Sequence, residues 1–252
     1  MPIDVVDLRA FYATATGRAA SQIIGRAAAS LWPSVRGLRV LGLGYATPYL
    51  PLVSDGAERV AAFMPAAQGV VNWPAAGLSA SALVDAAMLP LPDAAYDRVL
   101  LVHALEHADS PTEVLSEVWR ALSPGGRLML VAPNRRGAWA RSDSTPFGHG
   151  QPWSRPQLRH LLRQALFSPE HWLDTLYMPP FRDRLMLRSA AGWEKVCGGL
   201  GLPFAGVHVV EASKQLHRPI QVTRQRRVVR FQPVLAPGAG GALSHDGPPH
   251  PR

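Results

Sequence analysis

The chain has 252 residues, 47% of them hydrophobic, and a formal net charge of +8, enough for one large α/β domain with additions. No apolar run reaches the roughly 18–20 residues that span a bilayer, and the first residues lack the basic region and apolar core of a signal peptide. The single cysteine, Cys197, excludes an internal disulfide and fits a reducing cytoplasm, and no Cys/His cluster has zinc-site spacing, so no metal is expected.

Ile3–Trp32 is Ala-rich, with apolar groups at Leu8, Phe11, Tyr12, Ile23, Ile24 and Leu31. It reads as one or two helices over an edge of the domain, either lidding a site or simply packing. Leu38–Gly42 is the first expected strand. Gly42-Leu43-Gly44 follows, then Thr47 and Pro48 as an N-cap and first-turn pair opening a short helix Pro48–Val53. By itself the G-x-G fits a tight turn as well as a ligand loop. Arg59–Met64 and Leu78–Asp85 are the next two strands, and an acid followed by an apolar loop leads from Asp85 to Tyr96-Asp97.

Tyr96–Asn134 is the stretch that organises the rest. Arg98–Val102 is a short apolar run suited to a buried strand. Val114, Leu115, Val118 and Leu122 then fall at helical spacing. Ser110, Pro111 and Glu113 mark the helix start as a capping box, and Pro124-Gly125-Gly126 marks its stop. Arg127–Ala132 is a second buried strand. Short joints force a right-handed crossover and a parallel pair, so the spacing predicts a doubly wound, mostly parallel α/β sheet. Its ligands would sit at the carboxyl ends of the strands, beside the loop 102–110.

Beyond Asn134, Arg135, Arg136 and Arg141 flank Trp139, and an aromatic and glycine-rich loop follows through Phe147, His149 and Trp153. Ser154 and Gln157 form another capping box, opening a helix to Leu166. Trp172–Met178 and Gly206–Ala212 suit an antiparallel pair at the sheet's end, with a helix Leu185–Leu200 between them. From Lys214 onward seven basic residues face one acid, Asp246, so this end holds +6 of the +8. The segment 214–230 could touch RNA or an anionic membrane, or serve only as a solubilising end. Ala236–Arg252 is Gly/Pro-rich and expected to be disordered. The domain plan is thus 1–35 helical, 36–213 α/β, 214–235 basic and 236–252 tail.

Leu89-Pro-Leu-Pro-Asp93, His103-Ala-Leu-Glu-His107, Leu122-Ser-Pro-Gly-Gly-Arg-Leu128, Pro133-Asn134 and the Trp153-Ser-Arg-Pro-Gln-Leu158 helix recur in this order in one known family. Over about Arg36–Phe167 the chain resembles class I S-adenosylmethionine-dependent methyltransferases, particularly the small-molecule and quinone-type group. The resemblance implies a Rossmann-like fold and S-adenosylmethionine as cofactor. It places Gly42, Gly44, Tyr45 and Ala46 under the methionine and ribose, and Asp85 and Ala86 at the adenine. It puts His103 beside the sulfonium, and Glu106 and His107 at the substrate mouth. The sequence departs from the family at Gly42 and at Met64 or Pro65, where acids usually stand.

Methyl transfer needs the nucleophile held in line with the methyl carbon, water excluded and, for an O or N acceptor, a base. His103, His107 and His149 are the candidate bases, with Glu106 either orienting His103 or His107 or solvated. His107, His149 and Glu106 are the candidate catalytic residues, and each also reads as ordinary packing, capping or turn chemistry. Arg135 and Arg136 are either anion ligands or solvated. The family's nucleic-acid amino-methylating motif is replaced by His103-Ala-Leu-Glu106, which argues against base methylation. The expected activity is cytoplasmic methyl transfer to a small or lipid-like acceptor. The alternative is a catalytically inactive relative acting as a binding or regulatory partner of another protein.

Overall fold

The computed structural model describes residues 3–180, 187 and 189–216. A seven-stranded sheet runs through it in the order β3-β2-β1-β4-β5-β7-β6. The strands are β1 (Arg39–Gly44), β2 (Arg59–Pro65), β3 (Ser81–Val84), β4 (Tyr96–Val102), β5 (Leu122–Pro133), β6 (Phe167–Thr175) and β7 (Val207–Lys214). β1 to β5 pair in parallel, whereas β7 runs antiparallel to both β5 and β6. The doubly wound sheet and the antiparallel end pair expected from the sequence are both present.

Alternation along the strands splits the core into two layers. Val40, Ala62, Met64, Leu100, Val102 and Met129 face α1 (Val5–Ala13), α2 (Ala15–Leu31) and α3 (Leu50–Val53). Leu41, Leu43, Val99, Leu101, Leu128 and Leu130 face α4 (Pro111–Ala121) and α5 (Arg155–Gln164). The N-terminal stretch is therefore two helices that share a core with the sheet. Thr14 joins them, ending α1 and capping α2, where its Oγ1 accepts from the Gly17 N–H at 3.0 Å.

Several expected boundaries move. Tyr49, not Thr47, occupies the N-cap of α3, and the helix begins at Leu50. Ser110 caps α4 by position only, because its side chain makes no capping hydrogen bond. Pro124-Gly125-Gly126 lies inside β5 rather than between elements. Tyr96 pairs with Leu122 and Arg98 with Arg127, so the intervening residues loop out of register. The box at Ser154 does form: Gln157 Oε1 accepts from the Ser154 N–H at 3.1 Å. α6 (Ala190–Gly199) is shorter than the expected Leu185–Leu200 helix, whose start lies largely outside the described residues. Nearly all of the basic segment and the Gly/Pro-rich tail lie outside them too. Among the described residues, no helix is long and apolar enough to cross a membrane.

Candidate functional site

The carboxyl ends of β1, β2, β3 and β4 meet at one rim of the sheet. Gly44 ends β1 with φ +82°, and a Cβ there would sit 2.0 Å from the Val102 carbonyl oxygen. Only glycine fits so close an approach. It lets the chain turn sharply, and the Tyr45 N–H donates to Val102 O at 2.8 Å. Gly42 plays a different part. A Cβ at Gly42 would meet Ala46 Cβ at 2.8 Å and Leu50 Cδ1 at 2.9 Å, so the glycine serves the packing of α3.

Across the rim a hollow of about 390 Å³ is lined by Pro65, Ala66, Gln68, Asp85, Ala86, Ala104, His107, Asp109 and Glu113, among others. Asp85 is exposed there, and its Oδ1 accepts from the Ala87 N–H at 2.9 Å. The rim of β2 brings Pro65 and no acid to this hollow. Met64 is only 1% exposed and packs in the α1–α3 layer, where its sulfur accepts from the Val71 N–H.

The 103–107 segment carries the polar chemistry. His103 is buried and has φ +52°, a left-handed conformation that costs a non-glycine residue on the order of 1–3 kcal/mol. Its Nδ1 lies 3.1 Å from Glu106 Oε1 and its Nε2 lies 2.8 Å from the Tyr12 hydroxyl, which in turn meets the Tyr49 hydroxyl at 2.7 Å. A buried chain Glu106–His103–Tyr12–Tyr49 results. Burial pushes the Glu106 carboxyl up, but the His103 hydrogen bond and the charges of His103 and His107 outweigh it, so the carboxyl is held below its ordinary range. Burial raises both phenols, that of Tyr49 beyond the ordinary tyrosine range and that of Tyr12 well above it. His107 is half-buried at the hollow, and burial lowers its pKa, keeping the ring neutral at pH 7. Glu106 Oε2 and His107 Nε2 have no hydrogen-bond partner.

The structure thus brings Asp85, Ala86 and His107 to one hollow and puts His103 and Glu106 immediately behind it. Tyr45 is 5% exposed and stacks on Tyr12 with ring centroids 5.6 Å apart, while Ala46 is fully buried. His149 stands apart: its Nε2 lies 3.0 Å from the Asp143 carbonyl oxygen, and it lines a separate hollow with Asp4, Asp7 and Phe11. Away from the rim, Arg127 Nη1 sits 3.1 Å from both Glu170 and Glu211 and supplies the counter-charge for that acidic pair.

Tyr12 and Gln68 were not singled out as site residues from the sequence. Tyr12 sits in an apolar helical pattern, and the only available signal was its hydroxyl, because a buried phenol needs a partner.

Residues 40–130 match the model of the methyltransferase domain family. Over that segment the chain is similar to S-adenosylmethionine-dependent methyltransferases. S-adenosylmethionine is the cofactor of that family. A Mycolicibacterium smegmatis protein described as a probable S-adenosylmethionine-dependent methyltransferase is 33% identical over 93 residues, 36% of each chain. A demethylmenaquinone methyltransferase of Deinococcus radiodurans is 45% identical over 47 residues, 19% of this chain and 20% of its own length. The matched part thus spans about a third or less of these relatives' length. Among solved structures, the cyclase SpnF shares the fold at 24% identity and a TM-score of 0.56, over 80% of this chain and 83% of its own.

The hollow at the rim offers groups that fit the family's cofactor. The hollow carries Asp85 as an acceptor for an exocyclic amine and the Ala86 backbone beside it. Tyr12 contacts both Tyr45 and His103, and the Gln68 side chain reaches the His103 carbonyl.

Proposed function

We propose that the chain catalyses S-adenosylmethionine-dependent methyl transfer, in the cytoplasm, to a small, largely apolar acceptor. The observation that carries the reading is the hollow at the β1–β4 rim, within the segment that matches the family, with Asp85 on its purine side and neutral His107 at its mouth. The short match to a demethylmenaquinone methyltransferase supports a flat, quinone-like acceptor.

When bound, the cofactor supplies an electrophilic methyl group on a sulfonium. The chain's own residues do the remaining work. Asp85 and the Ala86 backbone hold the adenine edge. The carboxylate of Glu106 accepts a hydrogen bond from the Nδ1–H of His103 and fixes that ring at the tip of β4. His107, which lines the hollow and whose ring is kept neutral by burial, takes a proton from the acceptor hydroxyl. Trp139 and Phe147 pack edge to face, 5.5 Å apart, behind His103 and offer an apolar wall that excludes water.

Calorimetry with S-adenosylmethionine and S-adenosylhomocysteine tests the reading. Binding that falls about three- to tenfold in Asp85→Ala, the worth of one ordinary hydrogen bond, supports it. Failure to bind at millimolar cofactor sinks it. That second outcome would favour a catalytically inactive binding partner, a reading supported by the lack of an acid at Gly42 and Met64. Contacts through 214–230 with RNA or an anionic membrane remain a separate proposal. Loss of salt-sensitive vesicle or RNA binding on deleting 214–252 would support it.

A further inference from the structure

Gln68 follows β2 and His103 follows β4, and β1 lies between those strands. The Gln68 Nε2 donates to the His103 carbonyl oxygen. This side chain, only 3% exposed, therefore crosses the tip of β1, above the Gly44 turn. The backbone holds it there: the Val5 N–H, at the start of α1, donates to the Gln68 carbonyl at 2.7 Å. The same helix lays Tyr12 on Tyr45 and on His103, and packs Phe11 edge to face against Trp139 and Phe147. Two independent contacts, one at each end of α1, thus occupy one half of the groove.

We propose that α1 is a clasp over the cofactor groove. In the closed form Gln68 and Tyr12 take the room of the cofactor's aminocarboxypropyl arm, and the remaining hollow is a self-standing pocket for an adenine nucleoside. Entry of the complete cofactor requires α1 to swing away at Thr14 and Gln68 to release His103. The inference rests on the reading of the groove as a cofactor site. The lining refines the ligand class. Asp85, Asp109 and Glu113 stand in the hollow with no lysine or arginine among the described residues that line it, so it suits a neutral nucleoside with amine donors and rejects a nucleotide phosphate.

The same withdrawal moves Phe11 off Trp139 and Phe147, exposing the aromatic wall assigned to the acceptor. Cofactor and acceptor sites therefore open together.

Calorimetry on the full chain, with adenosine, AMP and S-adenosylmethionine as probes, tests this in the wild type, Gln68→Ala and Tyr12→Ala. Adenosine should bind the wild type and Tyr12→Ala within about twofold, and AMP about tenfold or more weakly. S-adenosylmethionine affinity should rise on the order of tenfold in the variants, because the closing contacts no longer have to be broken. Equal S-adenosylmethionine affinity in all three proteins overturns the clasp and leaves the cofactor reading standing. No S-adenosylmethionine binding by any of them overturns both. Amide exchange on the wild type gives a readout free of folding defects in the variants. Protection across residues 5–13 should fall at saturating S-adenosylmethionine and persist with adenosine; persistence under both ligands overturns the clasp.

Discussion

The phenol of Tyr12 meets Nε2 of His103 at 2.8 Å, tying the N-terminal helix to the end of β4. Through the other nitrogen of the same ring the contact continues to Glu106, so helix, strand end and carboxylate form one buried network. Such networks are costly to leave half-satisfied.

Glu106 should accordingly be sensitive to truncation. Glu106→Ala should destabilise the fold by about 3 kcal/mol, the range for removing one partner of a buried pair, and Glu106→Gln by less, since it keeps an acceptor for His103. The carboxyl is held below its ordinary value in the fold, so its contribution is full above the ordinary carboxylate pKa of about 4.3 and is lost as pH falls through the lower folded value. Urea melts from pH 7 to pH 3 should show that loss in the wild type and a flatter profile in Glu106→Gln.

His107 predicts the acid limb of activity. Burial holds its pKa below 6.5, so the unprotonated ring persists into mildly acidic solution. The acid limb of the kcat/KM profile should fall below pH 6.5, and His107→Gln should lower kcat by about 10²- to 10⁴-fold, the usual range for a general base. A profile unchanged by His107→Gln would remove this residue from the proton transfer.

Asp97 predicts stability far from the groove. It accepts from Arg39 backbone N–H, Nε and Nη2 and from the Ser123 hydroxyl, joining the starts of β1, β4 and β5. The Arg39 hydrogen bond holds its carboxyl well below the usual range. Asp97→Ala should cost about 1.5–3 kcal/mol at pH 7, as expected for charge-assisted hydrogen bonds. The difference from wild type should narrow on acidification, because a depressed carboxyl gives up its stabilisation as pH falls through the folded pKa. Thermal melts at pH 7 and pH 2.5 would measure it.

Restoring the family's missing acid should not by itself improve cofactor binding. Met64 is sealed in the α1–α3 layer rather than at the hollow. Met64→Asp buries an unpaired carboxylate, removes the sulfur that accepts from Val71, and should cost roughly 3–5 kcal/mol. Tighter S-adenosylmethionine binding by a stable Met64→Asp protein would contradict this placement.

The sheet was legible because its strands are short, apolar and separated by one strongly periodic helix, Pro111–Ala121, whose Val114, Leu115 and Val118 all turn inward. The Ser110 cap was not, since the side-chain geometry of a cap is set by the loop that enters it. The excursion inside β5 was missed for a related reason: Pro124-Gly125-Gly126 carries strong turn chemistry, yet strand pairing resumes on both sides of it. Asp85 and His107 could be placed from local motifs. Gln68 could not, because it acts through a carbonyl 35 residues away, and nothing in the neighbouring sequence announces that contact.

Where α1 doubles back to α2, Gly17 packs so tightly that a Cβ would lie 2.1 Å from the Phe11 carbonyl oxygen. The elbow therefore tolerates hydrogen and nothing larger, and one added carbon would prise the two helices apart. Gly17 is thus a mechanical stop that sets how firmly the door rests on its frame. A chain that carried alanine there would keep its sheet while losing the close seat of α1 on α2.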